Sequence, residues 1–404
     1  MSTQVVTAAS SVSASTTASY RLESIDLLRG FLMLLMALDH ARDFFSVPTG
    51  DPADPSTSWP ALFATRWVTH LCAPGFIALA GISVYLQRRR GKSAEQMTRM
   101  LLTRGVWLIL LEVTVVSFAW AFSPSTYLQV IWAIGVSMIC LGFLQRFSRA
   151  VAGAVGISII LMHNLLDPIR AVSFGRWSLL WNMIHEGVLL RYHGGAIFVI
   201  IYPVLPWIGV ILVGYAVGPF VCIAPQMVQR MAVLFGGLFL SAFSLLRLWH
   251  GYGDHRQFQH LAAPSRTVMS FLDVEKYPPS LHYLLATFGV LLLMYALFDA
   301  VAARGWLPRL RGFLEVYGRV PFFYYVLHLY LLHSVALLLS VHEHLNWHYF
   351  IQPRTPHGGD LAGWGLSLPL VYCVWLGAIL ALYLPCRWFG RLKARRRDWW
   401  LSYL

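Results

Sequence analysis

Apolar stretches of about 20 residues, parted by short polar segments, recur along nearly the whole chain. A bilayer core about 30 Å thick is crossed by a helix of about 20 residues. Ten stretches meet that length, at roughly 25–45, 62–87, 98–121, 127–147, 149–166, 194–217, 229–248, 280–302, 315–340 and 365–386. Only 12% of the 404 residues are charged, against about 25% in a soluble domain. Mean hydropathy is +0.60. These features exclude an ordinary soluble globule, a disordered chain and a disulfide-rich secreted module. The expected fold class is all-α: a polytopic transmembrane helix bundle of about ten spans.

The formal net charge is +13, which in a soluble protein would suggest nucleic acid. Here the basic residues sit between apolar spans, so the positive-inside rule accounts for them and no nucleic-acid partner is expected. Arg88, Arg89, Arg90 and Lys92 form one loop, Arg146 and Arg149 a second, and Arg304, Arg309 and Arg311 a third. Arg387, Arg391, Lys393, Arg395, Arg396 and Arg397 end the chain. With ten spans, all of these fall on the side of the N-terminus, and the rule puts both termini in the cytoplasm.

Residues 1–20 are Ser, Thr and Ala with few large apolar groups, which predicts a disordered tail. They lack the basic and apolar regions of a secretory signal, so the first span is expected to stay as an anchor. Residues 21–388 then form one transmembrane domain, and 389–404 a basic cytoplasmic tail. The five cysteines lie in or beside apolar spans without metal or redox spacing. The outer segments 167–193, 249–279 and 341–364 are long and rich in Trp, Tyr and His. Such loops either anchor the membrane interface or serve as lids and acceptor surfaces.

Ionisable groups inside a bilayer are costly, and each is a functional candidate. The first helix is the most loaded. Asp26 and Arg29 are three residues apart and can pair on one face. Gly30 beside them admits close approach of a helix or ligand. Ten residues on, about 15 Å along the axis, come Asp39, His40 and Asp43, with His40 and Asp43 on one face. The second helix carries Arg66 and His70, then Pro74, which frees a backbone carbonyl and tends to kink the helix. The ninth holds Arg319 near the cytoplasmic face, Tyr324 and His328 about midway, and His333 above. His342, His344 and His348 form only a loose cluster. A metal needs three or four convergent ligands, so neither metal nor haem is expected.

Several of these motifs resemble a known family. They are Glu23-Ser24-Ile25-Asp26-Leu27-Leu28-Arg29-Gly30, Met36-x-x-Asp39-His40-x-x-Asp43-Phe44-Phe45, and Arg66-Trp67-Val68-Thr69-His70-Leu71-Cys72-Ala73-Pro74-Gly75-Phe76. Tyr202-Pro203-Val204-Leu205-Pro206, Lys276-Tyr277-Pro278-Pro279-Ser280-Leu281 and Gly318-Arg319-Val320-Pro321-Phe322-Phe323-Tyr324-Tyr325-x-x-His328 extend the match. Together they resemble a bacterial family of membrane proteins grouped with heparan-α-glucosaminide N-acetyltransferase. The eukaryotic pattern has Asn where His40 falls and Asp where His70 falls. Its catalytic His lies between the two helices, where residues 46–61 hold none.

The resemblance implies a bacterial inner-membrane acyltransferase with cytoplasmic acetyl-CoA as co-substrate. The acceptor would be an outer-face hydroxyl or amine, on a glycan or a small sugar. It also implies a homodimer in the lipid bilayer. On that reading Arg29 and Arg319, with Asp26 and Tyr324 nearby, serve the acyl-CoA. His40 or His70 is the general base, Asp39 or Asp43 orients it, and His328 lines the channel or polarises the thioester carbonyl. Intramembrane Asp, His and Arg also mark proton-coupled transporters, the alternative function.

Overall fold

The computed structural model describes residues 3–47, 50–192, 195–353, 363–396, 398 and 401, with side chains from Glu23 onward, Pro225 excepted. Part of the outer segment expected at 341–364 (residues 354–362) lies outside the described residues. So do residues 397, 399, 400 and 402–404 of the basic tail, and the side chains of the tail expected at 1–20.

The chain is about 74% helical. In order it forms α1 (Thr3–Phe45), α2 (Pro60–Thr69), α3 (Cys72–Arg89), α4 (Ala94–Leu111), α5 (Ser117–Ala121), α6 (Val130–Leu144) and α7 (Arg149–Met162). There follow α8 (Ser178–Trp181), α9 (Leu205–Val217), α10 (Pro225–Trp249), α11 (Pro264–Leu272), α12 (Leu281–Ala303), α13 (Pro308–Gly318), α14 (Pro321–His342) and α15 (Leu368–Arg395). Among the described residues, eight helical segments are long and apolar enough to cross a membrane, and α6 is a shorter apolar helix. With the C-terminal half of α1 they occupy the places of the ten expected spans. The chain is a polytopic helical membrane protein.

Prolines account for two breaks inside the expected spans. The 62–87 stretch divides at His70 and Leu71, with Pro74 in the first turn of α3. Pro74 has no N–H for the carbonyl four residues back. That carbonyl belongs to His70, and the Tyr283 hydroxyl donates to it at 2.7 Å. The 315–340 stretch divides at Arg319 and Val320, with Pro321 opening α14.

Two other departures have different causes. The helix expected from 194 begins only at Leu205, after Pro203 and before Pro206. The preceding Ile197–Ile200 is a strand, β3, pairing in parallel with β1 (Thr126–Leu128) and antiparallel with β2 (Val188–Arg191). The 98–121 stretch carries a π-helical turn, Glu112–Val116, between α4 and α5.

α1 packs against α3, α12, α13, α14 and α15. Its contact with α13 needs two glycines. A Cβ on Gly30 would sit 2.1 Å from the Leu314 carbonyl oxygen, and one on Gly318 would sit 2.0 Å from that of Asp26. Backbone thus touches backbone beside Arg29, as small residues permit in membrane helices.

Candidate active site

On α1, Arg29, Met33, Met36 and His40 are spaced four, three and four apart and form one stripe along the helix. Arg319 follows the last residue of α13, and Phe322, Tyr325 and His328 follow it at three-residue intervals on α14. Each segment therefore begins with an arginine and reaches a histidine two to three turns later. The two histidines meet. His40 Nδ1 lies 2.7 Å from His328 Nε2, and the ring planes are 3° apart.

The second nitrogen of His328 fixes the protonation pattern. His328 Nδ1 lies 2.8 Å from the Tyr324 carbonyl oxygen, which only accepts. In the neutral ring, His328 Nδ1 therefore carries the proton and Nε2 is the acceptor. His40 Nδ1 must then donate, and His40 Nε2 is left as a bare lone pair. It makes no hydrogen bond among the described residues. The His40 ring meets Trp120 edge-on at 4.9 Å and Tyr325 at 6.1 Å.

A cavity of about 320 Å³ opens against Tyr325, whose ring meets His40, and neither histidine is among its lining residues. Arg29, Arg104, Arg319 and Lys393 contribute to its lining from four different segments. The remaining wall is apolar, with Met33, Met36, Phe76, Leu108, Ile134 and Met138 among its residues. Tyr325 also lines it. The stripe on α1 gives the direction: cations flank the Arg29 end, and Met36 lies one turn from His40. Arg29 is held by Asp26 at 2.8 Å and approaches Ser83 Oγ at 3.4 Å. Arg319 pairs with Glu315, yet its side chain is 64% exposed.

The wall supplied by α6 is anchored by Glu112. Its carboxylate is fully buried in the π-helical turn and accepts from the backbone N–H groups of Gln129 and Trp132, each at 3.0 Å. The first N–H groups of a helix lack intrahelical partners, and Glu112 satisfies them from a neighbouring element.

Asp39 serves another cluster. Arg66 Nη1 reaches both its oxygens at 2.9 and 2.8 Å, Arg42 reaches one at 2.9 Å, and Thr69 Oγ1 donates at 2.8 Å. Asp43 pairs with Arg42 at 2.5 Å. His70 is buried nearby against Tyr283, with rings 5.4 Å apart, and its Nδ1 has no partner. The charge of Lys276 acts on Asp39, His40 and His70 alike.

Comparison with known families supplies a class for this architecture. The family model described as heparan-alpha-glucosaminide N-acetyltransferase, catalytic, matches residues 21–246. The chain belongs to that family. No curated protein matches the chain. Membership makes it a protein of a membrane acetyltransferase family. The matched residues of the acetyltransferase model include Arg29, His40, Arg66, Arg104 and Glu112. Arg319, His328 and Lys393 lie beyond them, so the cavity and histidine pair are completed by the unmatched C-terminal part.

Within this acetyltransferase-family chain, the residues singled out from sequence fall into two groups. Arg29 and Arg319 line the cavity, Asp26 holds Arg29, and His40 and His328 form the pair beside it. Asp39, Asp43 and His70 belong to the arginine cluster, and neither carboxylate hydrogen-bonds His40. Tyr324 gives its backbone carbonyl to His328 and packs its ring on Tyr317 at 4.9 Å. It is Tyr325 that lines the cavity. Arg104, Lys393 and Glu112 were not singled out. Lys393 read as one of the positive-inside residues of the tail, Arg104 was passed over within the 98–121 span, and no local motif marks the π-helical turn. Among the described residues, no group of three or more His, Cys, Asp or Glu is placed to hold a metal.

Proposed function

We propose that the chain transfers an acetyl group from cytoplasmic acetyl-CoA to a hydroxyl or amine of an acceptor reached from the opposite face. The observation that carries this reading is the cavity: cationic at the Arg29 end, apolar along its wall, and reaching Tyr325 beside the histidine pair. Arginine and lysine suit the phosphates of a nucleotide-bearing thioester. An apolar passage of this size suits the pantetheine arm, with the nucleotide left at the mouth.

His40 is the base. Its Nε2 takes the proton from the acceptor's hydroxyl or amine as the acceptor oxygen or nitrogen bonds to the thioester carbonyl carbon. The carbon–sulfur bond breaks, and the CoA thiolate takes the proton back from His40. His328 holds His40 in the tautomer that leaves Nε2 free and stays hydrogen-bonded when His40 becomes charged. His328 is a positioning residue in this scheme.

The test is radiolabelled acetyl transfer by the purified protein in liposomes, with acetyl-CoA supplied on one side and amino sugars or glycan fragments on the other. Labelled acceptor that disappears in His40→Ala supports the reading. Tight acetyl-CoA binding without any transfer, over a broad set of hydroxyl and amine acceptors, would contradict it.

A further inference from the structure

The arginine cluster around Asp39 holds more positive charge than the transfer chemistry uses. Arg42, Arg66 and Lys276 are all buried. Asp39 takes both arginines, and Asp43, whose side chain is 36% exposed, takes Arg42 as well. Lys276 has no carboxylate within ion-pair distance among the described residues. Its ammonium lies over the Tyr277 ring, 5.2 Å from the centroid. Glu275, its neighbour in sequence, is taken by Arg256 at 2.5 Å.

Donors are left over too. Arg42 Nη1 and Arg66 Nε are buried donors without a hydrogen-bond partner, and His70 Nδ1, donor or acceptor according to tautomer, is buried without one as well. An unpaired buried charge or donor is expensive, and such groups normally find partners. The loop bearing Lys276 is held firmly. Asp254 accepts from the Glu275 N–H at 2.9 Å and from Ser280 Oγ at 2.7 Å, and Ser280 caps α12 through the Tyr283 N–H at 3.0 Å. Tyr277 registers the surplus. Burial alone would push its phenol up, but Lys276 and Arg66 outweigh burial and hold it below the ordinary value.

We propose that Arg42, Arg66 and Lys276, with His70, form a subsite for an oxyanion, a carboxylate or a phosphate, carried by the acceptor. Asp39 and His40 adjoin on α1 although their side chains diverge by about 100°, so an acceptor held here by its anionic group must extend around the helix to bring its nucleophile to His40. Calling the anion part of the acceptor rests on the transferase reading above. The binding of the anion does not.

The experiment is calorimetric titration of glucuronate, glucose 6-phosphate and glucose into the purified protein, for the wild type and Lys276→Met. The wild type should bind at least one of the two anions at least tenfold more tightly than glucose, and the tighter one identifies the oxyanion. Lys276→Met should lose at least tenfold of that affinity, melt at a higher temperature without ligand, and keep acetyl-CoA affinity within twofold. Arg66→Lys, which retains an ion pair to Asp39 but lacks Nε, should also lose affinity and serves if Lys276→Met does not fold. Anions that bind no better than glucose, or variants that retain their affinity, overturn the subsite whatever acetyl-CoA does. Loss of acetyl-CoA binding in the wild type would instead overturn the transferase reading and leave the anion result standing.

Discussion

His328 fixes which nitrogen of His40 is basic. Its own Nδ1 is committed to the Tyr324 carbonyl at 2.8 Å, so its Nε2, 2.7 Å from His40 Nδ1, accepts. Replacing His40 with alanine should lower kcat by about 10²–10⁴, the usual worth of general base catalysis. His328→Leu should also lower kcat while leaving the KM for acetyl-CoA near its starting value. The double variant should be little worse than His40→Ala, because the two rings act as a unit. Steady-state kinetics on the three variants checks this. Additive losses would mean that His328 acts on its own.

The mouth of the cavity predicts a graded effect on donor binding. Arg104→Ala and Lys393→Ala should each weaken acetyl-CoA about tenfold, the equivalent of ~1.4 kcal/mol. The loss should shrink at high salt, because the contacts are charged and partly open to solvent. Titrations at two ionic strengths measure it. A loss in kcat with unchanged affinity would place these residues elsewhere in the cycle.

Glu112 is predicted to act on stability. Glu112→Ala leaves the N–H groups of Gln129 and Trp132 without their acceptor, at about 1–3 kcal/mol for each buried group left unpaired. Glu112→Gln keeps one carbonyl oxygen and should lose less. Melting temperatures in one detergent order the series as wild type, Gln, Ala. If Ala melts with the wild type, the carboxylate is not what anchors α6.

Asp273 carries the pH dependence. Burial pushes its carboxyl up to about 6, although Arg256 at 2.9 Å opposes the shift. The ordinary value for an aspartate is 3.8. A folded value above the unfolded one means that the native state binds the proton more tightly. The stabilisation is therefore full below about pH 4 and is lost as pH rises through about 6. Asp273→Asn cannot ionise, so its melting temperature relative to wild type should rise between pH 4 and pH 7. A difference that stays flat or falls over that range would contradict the assignment.

The histidine pair was only half legible in the sequence. Helical spacing puts Arg29 and His40 on one stripe of α1, whereas Arg319 and His328 are parted by the helix break at Pro321. Nothing local says that His40 and His328 meet, because that depends on how α1 packs on α14. Asp39 shows the opposite limit. It adjoins His40 in sequence, but consecutive residues on a helix point about 100° apart, and Arg66 from α2 claims it. The break at His70 was legible, since Pro74 must free that carbonyl. The start of α9 at Leu205 was not, because an apolar β-branched run reads equally as strand or span. Lys393 was hidden for a related reason: a basic residue near a span end looks the same whether it faces water or a cavity.

Binding of acetyl-CoA to a variant that fills the cavity is the most direct test of the account. Ala80 lines the wall from α3 and is distant in sequence from both histidines. Calorimetric titration of acetyl-CoA should give micromolar affinity for the wild type and an unchanged value for His40→Ala. Ala80→Phe, with its melting temperature preserved, should bind at least tenfold more weakly. Equal binding by Ala80→Phe, or no binding by the wild type, would contradict the assignment of this cavity to the acyl donor.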